Sequence, residues 1–154
     1  MAIDVDHARQ GIAPADSGHR SNFREFPAMP TFRIIVIGAG QTGTPLLRQL
    51  LAAPFVQVLG VAELDLSLPG VALARSHGVP VHQDYMDLLQ QHGAAADIVI
   101  DVTGQALVRE ALRKHMVDSG NQKTVILHER IALLMMSLSA GTLVPSRHGD
   151  VAYA

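Results

Sequence analysis

Four β-branched apolar residues in a row, Ile34 to Ile37, run directly into Gly38-Ala39-Gly40-Gln41-Thr42-Gly43, and apolar residues at helical spacing follow at once. An unbroken apolar run is how a strand covered on both faces of a parallel sheet reads. Leu46, Leu47, Leu50 and Leu51 then recur on one helical face until Pro54 stops the helix. Strand, glycine turn and helix in this order leave few folds open. The glycines serve separate purposes, since Gly38 permits the tight turn, Gly40 lets backbone approach a ligand, and Gly43 lets the helix lie close to the strand. The free N–H groups at the helix start carry partial positive charge. The loop from Gly38 through Ala39, Gly40, Gln41 and Thr42 to Gly43 is therefore expected to cradle the pyrophosphate of a dinucleotide.

A second apolar run, Val56-Gln-Val-Leu-Gly-Val-Ala, ends at Glu63, about 20 residues beyond Gly43, where a ribose-binding acid belongs in such a unit. A carboxylate there accepts hydrogen bonds from ribose hydroxyls and repels a 2′-phosphate, so NAD (as NADH or NAD⁺) is favoured and NADP disfavoured. Asp65 adds to the repulsion. The bland alternative is an acidic strand end facing water beside a structural turn.

Downstream, strand and helix patterns alternate at the pace of right-handed crossover units. Leu68 to His77 predicts a helix burying Val71, Leu73 and Ala74, closed by Gly78. Val79 to His82 predicts a short third strand, placed at an edge by Pro80. Asp84 is positioned to cap a helix that buries Met86, Leu88 and Leu89 and ends at Gly93. Asp97 to Asp101 predicts a fourth strand. Gln105 to Val117 predicts a helix burying Leu107, Val108, Ala111 and Leu112. Thr124 to His128 predicts a fifth strand, and Ile131 to Leu138 a last helix. The expected fold is α/β: one doubly wound, mainly parallel Rossmann sheet of strand order 3-2-1-4-5, with the ligand at the switch point between strands one and four. At that point Thr103 and Gly104 should flank the cofactor opposite the glycine turn, with Thr103 either donating to a phosphate or ribose oxygen or simply capping the next helix. Asp101 has no evident titratable partner in the sequence and is read as structural.

The folded body is expected over residues 31–140, a single domain. Residues 1–30 mix Asp, His, Arg, Gly, Ser and Pro with scattered apolar positions, the composition of a mobile tail, although Phe23, Phe26 and Met29 leave open a segment that orders on a partner. Residues 141–154 are read as a loose C-terminal tail. With 12 basic and 14 acidic side chains and a formal charge of -2, neither nucleic acid nor an anionic membrane is an expected partner. There is no cysteine, which excludes disulfides and thiol chemistry and fits a reducing compartment. No apolar run approaches the roughly 20 residues of a membrane span, and the N-terminus lacks a signal-peptide core, so the default location is cytoplasmic. His77, His82, His92, His115, His128 and His148 fall in separate elements without a His-x-x-x-His pair, and no metal site is expected. Neither a Gly-x-Ser-x-Gly elbow nor a P-loop lysine occurs.

Three motifs, Val56 to Glu63 (Val-Gln-Val-Leu-Gly-Val-Ala-Glu), Tyr85 to Leu89 (Tyr-Met-Asp-Leu-Leu) and Asp97 to Gly104 (Asp-Ile-Val-Ile-Asp-Val-Thr-Gly), follow the glycine turn in order. With them the stretch from Phe32 to about Ala132 resembles the nucleotide-binding half of the glucose-fructose oxidoreductase and inositol dehydrogenase family, and stand-alone bacterial versions of that half. The resemblance implies a Rossmann domain that binds NAD. Two departures stand out. The family's Glu-Lys-Pro motif, whose lysine assists proton transfer, is met here by His128-Glu129-Arg130-Ile131, and arginine stays protonated at working pH. The family's second domain, which holds the substrate, would begin about where this sequence stops. Catalytic residues are therefore unassigned.

The last predicted helix is apolar around nearly its whole circumference, more than one sheet face needs. Its excess surface is expected to meet a second copy or another protein, or to tuck under the C-terminal tail. The expectation that follows is an NAD(H)-binding module that senses or presents the dinucleotide. Its alternative is an NAD-dependent oxidoreductase component whose substrate site is completed at an interface. An S-adenosylmethionine site ranks below both, because such sites commonly place an acid just before the glycines, where this chain has Ile37. A nucleotide-gated regulatory domain of the potassium-transport kind merges with the first expectation.

Overall fold

The apolar runs become five strands: β1 (Phe32–Ile37), β2 (Val56–Ala62), β3 (Val81–His82), β4 (Ile98–Asp101) and β5 (Val125–His128). In the computed structural model, which describes residues 31–148, they form one sheet of order β3-β2-β1-β4-β5 in which every pairing is parallel. The expectation for the N-terminal tail lies outside the described residues, as do residues 149–154.

Five helices link and follow the strands: α1 (Gly43–Ala52), α2 (Pro69–Ser76), α3 (Tyr85–His92), α4 (Ala106–Ser119) and α5 (Glu129–Ala140). Because each crossover returns to a parallel strand, the helices fall into two layers. On one face Leu46, Leu47 and Leu50 of α1, Val71 and Ala74 of α2, and Ala132 and Met136 of α5 pack on Ile34, Val36, Val61 and Ile100. On the other, Leu88 and Leu89 of α3 and Leu112 of α4 cover Ile35, Ile37 and Val99. Alternate residues of β1 thus feed opposite cores, as the two-residue side-chain period of a strand requires. The arrangement is a Rossmann-like α/β fold.

Local chemistry explains most element ends. Asp84 caps α3, its Oδ1 accepting from the Met86 amide at 2.7 Å. Gly120 closes α4 and Gly141 closes α5 in the left-handed region. β3 is shorter than expected. Pro80 has no N–H for the ladder, and its carbonyl instead accepts from Val61 N at 2.9 Å. One core expectation fails: Leu107, read as buried in α4, is 80% exposed. Its neighbour Val108 takes the inward position together with Leu112, and Leu107, about 100° away around the helix, is left outside.

At the opposite end of the sheet from the glycine turn, Arg33 and Asp97 join the starts of β1 and β4. The Arg33 Nη2 donates to Asp97 Oδ1 at 2.9 Å, while Arg33 N and Nε both donate to Oδ2, at 2.8 and 3.2 Å. These bonds hold the Asp97 carboxyl below the usual carboxylate range and raise the Arg33 guanidinium.

Candidate functional site

Gly38 follows β1 with φ at +101°, a region that L side chains rarely adopt, and its amide donates to Ala62 O at 2.8 Å. The chain then reverses into α1 so closely that a Cβ on Gly43 would lie 2.0 Å from the Gly38 carbonyl oxygen. No side chain fits there. Gly40 differs: a Cβ on it would meet only Leu68 Cδ1, at 3.9 Å, so its missing side chain leaves open space in front of the backbone. Gly70, in the first turn of α2, packs against the same turn, since a Cβ would come 2.5 Å from Ala39 O. Nothing in the glycine motif pointed to Gly70, whose only sequence signal was its place beside Pro69.

Glu63 stands directly after β2 and leans back over the turn. Its Oε2 accepts from the Ala39 amide at 2.6 Å, and its Oε1 accepts from Asp65 N at 3.1 Å. Asp65 in turn accepts from the hydroxyl and amide of Ser67, at 2.6 and 2.9 Å, which hold its carboxyl below the usual range. Two carboxylates therefore sit together at this end of β2. Among the described residues no acceptor meets the amides of Gly40, Gln41 or Thr42, and α1 has no side-chain cap. Unsatisfied N–H groups at a helix start are where an anion binds.

Across the switch point, the Thr103–Gly104 loop leaves β4. The Thr103 hydroxyl donates to Asp101 Oδ1 at 2.7 Å and accepts from Gln105 N at 3.2 Å. Gln105, not Thr103, holds the N-cap position of α4, so the capping expectation fails, while the hydroxyl that was expected to meet a ligand donates here to Asp101. Asp101 also needs correction. It is 3% exposed and is paired after all, with His128 Nδ1 lying 3.3 Å from its Oδ2. Asp101 closes β4 and His128 closes the adjacent β5, and the two are register partners in the ladder. Sequence alone could not see this, because 27 residues separate them and the register is what brings them side by side.

Glu129, the next residue, is 2% exposed. Its Oε1 accepts from the Thr42 hydroxyl at 3.2 Å and lies 3.5 Å from His148 Nε2. Thr42 therefore faces a buried acid rather than capping its own helix. No group of three or more His, Cys, Asp or Glu side chains among the described residues is arranged to hold a metal ion.

These pieces enclose a cleft of about 280 Å³ at the carboxyl ends of β1, β2 and β4. Of the expected site residues, Gly38, Gly40, Thr42, Glu63 and Thr103 line it. Ala39 and Gly43 are buried behind the turn. Gln41 faces a different cavity, between α1 and α5, and Gly104 lines a small polar hollow with Asp101, His128 and Glu129. The rest of the lining is mainly apolar, with Leu64, Leu68, Val102 and Val108 among it, beside the polar side chains of Gln83, Gln105 and His148. Apolar walls with a few convergent polar groups are the usual make-up of a small-molecule site.

No family model matches the chain, and no curated protein is significantly similar to it. Among solved structures, a myo-inositol dehydrogenase from Corynebacterium glutamicum aligns with a TM-score of 0.49 and 18% identity, over 62% of this chain and 27% of that one. The saccharopine dehydrogenase (L-Glu forming) of Saccharomyces cerevisiae aligns with a TM-score of 0.49 and 23% identity, over 63% of this chain and 21% of the other. A phosphoribosylglycinamide formyltransferase from Anaplasma phagocytophilum gives 0.43 and 19%, over 62% and 48%. The chain thus spans about half or less of the length of each, and its fold assignment rests on the strand order above. No helix among the described residues is long and apolar enough to cross a membrane.

Proposed function

We propose that this chain is a dinucleotide-binding Rossmann module that takes NAD(H) in preference to NADP(H). The observation that carries this is the meeting, in one cleft, of a side-chain-free glycine turn and the Glu63 carboxylate. Pyrophosphate would rest on the amides of Gly40, Gln41 and Thr42 at the start of α1. Glu63 would accept from the adenosine ribose hydroxyls with the lone pairs not used by Ala39 and Asp65, and Leu64, Leu68 and Val108 would flank the adenine. A 2′-phosphate would face Glu63 and Asp65 together, two negative charges at short range. The resemblance of its motifs to those of the glucose-fructose oxidoreductase and inositol dehydrogenase family agrees with this reading.

The module would sense or present the dinucleotide inside the cell. Output would pass through self-association on the outer face of α5, where Ile131, Leu134, Met135 and Leu138 are exposed at helical spacing.

A second reading is an oxidoreductase component whose substrate site is completed at an interface, and the Asp101–His128 pair favours it. With Nδ1 donating to Asp101, the His128 Nε2 carries a lone pair able to take a proton from a hydroxyl. A bound nicotinamide would supply the hydride acceptor.

Titration of the purified protein with NADH and NADPH separates these claims. NADH should bind, NADPH should bind at least about tenfold more weakly, equivalent to roughly 1.4 kcal/mol, and Glu63→Gln should narrow that gap. Tighter binding of NADPH by the unaltered protein would refute the role given to Glu63. Saturation to 100 times Kd should add about 2.7 kcal/mol to stability. Turnover of hydroxy acids, sugars or polyols at stoichiometric protein would favour the second reading.

A further inference from the structure

Of the C-terminal segment expected to be loose, residues 141–148 are described, and they return to the body of the fold. After Gly141 the chain turns, and Val144 packs against the core cluster shared by α1 and α5. The Val144 amide donates to Ser137 Oγ at 2.9 Å, while Ser137 donates to Leu133 O at 2.6 Å. This anchor carries the chain toward the carboxyl edge of the sheet. There the His148 side chain lies across Gly104, its Cβ, Cγ and Cδ2 3.1 to 3.2 Å from where a Cβ on that glycine would be. Its Nε2 is 3.5 Å from the buried Glu129 carboxylate, which already holds the Thr42 hydroxyl of the glycine turn. His148 is itself one of the walls of the 280 Å³ cleft.

A dinucleotide spans the switch point of such a sheet, with the adenosine half toward β2 and its acid, and the second nucleotide over β4 and the strand beyond. In this chain the β2 side is open and the β4–β5 side is where His148 sits. The volume agrees. A cleft of about 280 Å³ lies just below the roughly 300–1,000 Å³ common for ligand pockets, which suits one half of a dinucleotide better than the whole.

We infer that the segment from Thr142 to His148 is a specificity-determining arm: with His148 seated on Gly104 and Glu129, the cleft admits an adenine mononucleotide, and a dinucleotide binds only when the arm is displaced. This rests on the dinucleotide reading above and adds the requirement that the second nucleotide and His148 compete for one place. An arm seated ~80–90% of the time lowers apparent dinucleotide affinity roughly five- to tenfold while leaving mononucleotide affinity alone.

Calorimetric titration of the full chain and its His148→Ala variant with AMP and with NADH tests this. The variant should gain roughly five- to tenfold in affinity for NADH relative to AMP, the AMP titration carrying whatever the lost cleft wall itself costs. In the unaltered protein, the His148 ring signal in a two-dimensional NMR spectrum should move on adding NADH and stay in place on adding AMP. If His148→Ala shifts both affinities equally or neither, or if NADH leaves the His148 signal unmoved, the arm inference is wrong while the binding module stands. If neither AMP nor NADH binds either protein, the cleft is not a nucleotide site and both fall.

Discussion

Single residues decide whether the turn can exist. Gly38 holds a backbone angle that L residues avoid, and Gly43 lies on its carbonyl, so the two glycines interlock and neither tolerates a methyl group for its own reason. Gly43→Ala would drive a Cβ into backbone oxygen at 2.0 Å, and backbone cannot rotate out of the way as a side chain can. Overpacking of this kind should cost about 3 kcal/mol and lower the Tm by roughly 10–20 °C, with NADH protection lost as α1 is pushed off the turn. Gly40→Ala is the contrasting case. Its Cβ meets open cleft, so the fold should melt within about 0.5 kcal/mol of the parent while nucleotide affinity falls. Thermal melts of the two variants with and without NADH check both halves of the contrast. A Gly43→Ala protein as stable as the parent would mean that the turn is not packed as described.

At the scale of elements, the strand starts carry the clearest electrostatic device. The depressed Asp97 carboxyl binds its proton less readily in the folded chain than an ordinary aspartate of pKa about 3.9. It therefore adds stability that is complete above that value and is lost as the pH falls through its folded value. Arg33, raised above its ordinary value, stays charged throughout that window. Melting temperature against pH should decline below about pH 4, and Asp97→Asn should lower the neutral plateau and flatten the acid limb. Both groups are exposed, so added salt should shrink the difference; an acid limb unchanged in the variant would show that other carboxylates govern it. Elements of this kind also mark where the sequence stopped being readable. Periodicity placed all five strands and five helices, because each buries a face whose spacing is local. It could not place Arg33 against Asp97, or Asp101 against His128, since these pairs depend on which strands become neighbours and in what register. Leu107 failed for a related reason: Val108 and Leu112 fill the stripe of α4 that meets the sheet, and which of two adjacent apolar residues faces inward is settled by tertiary packing rather than by local spacing. In the site, the glycines and Glu63 were legible from fixed offsets, whereas Gly70, Glu129 and His148 reach the turn from distant segments and carry no local signature.

For the molecule as a whole, the unbalanced feature is the outer face of α5. Ala132 and Met136 point into the core, yet Leu134 is 53% exposed and Leu138 74%, with Ile131 and Met135 completing the row. Strands inside the sheet have committed their apolar residues to the two cores, so this row has nothing left to cover within residues 31–148. Contiguous apolar surface rimmed by polar residues is unusual on a monomer, and a face that meets its own copy by twofold symmetry buries each leucine against another. The expected outcome is a concentration-dependent dimer by light scattering. Leu134→Glu with Leu138→Glu should convert it to monomer, because two facing pairs of carboxylates would then have to be desolvated. Both substituted positions point to solvent, so the monomeric variant should keep its fold and its AMP affinity, leaving assembly as the property that changes. If the parent is monomeric at all accessible concentrations, the row is covered by something other than a second copy, and NADH-dependent output must run through a different surface. If the variant is monomeric and also loses NADH binding but keeps AMP, assembly and the second-nucleotide half of the cleft are coupled through α5, whose first residue, Glu129, holds both Thr42 and His148.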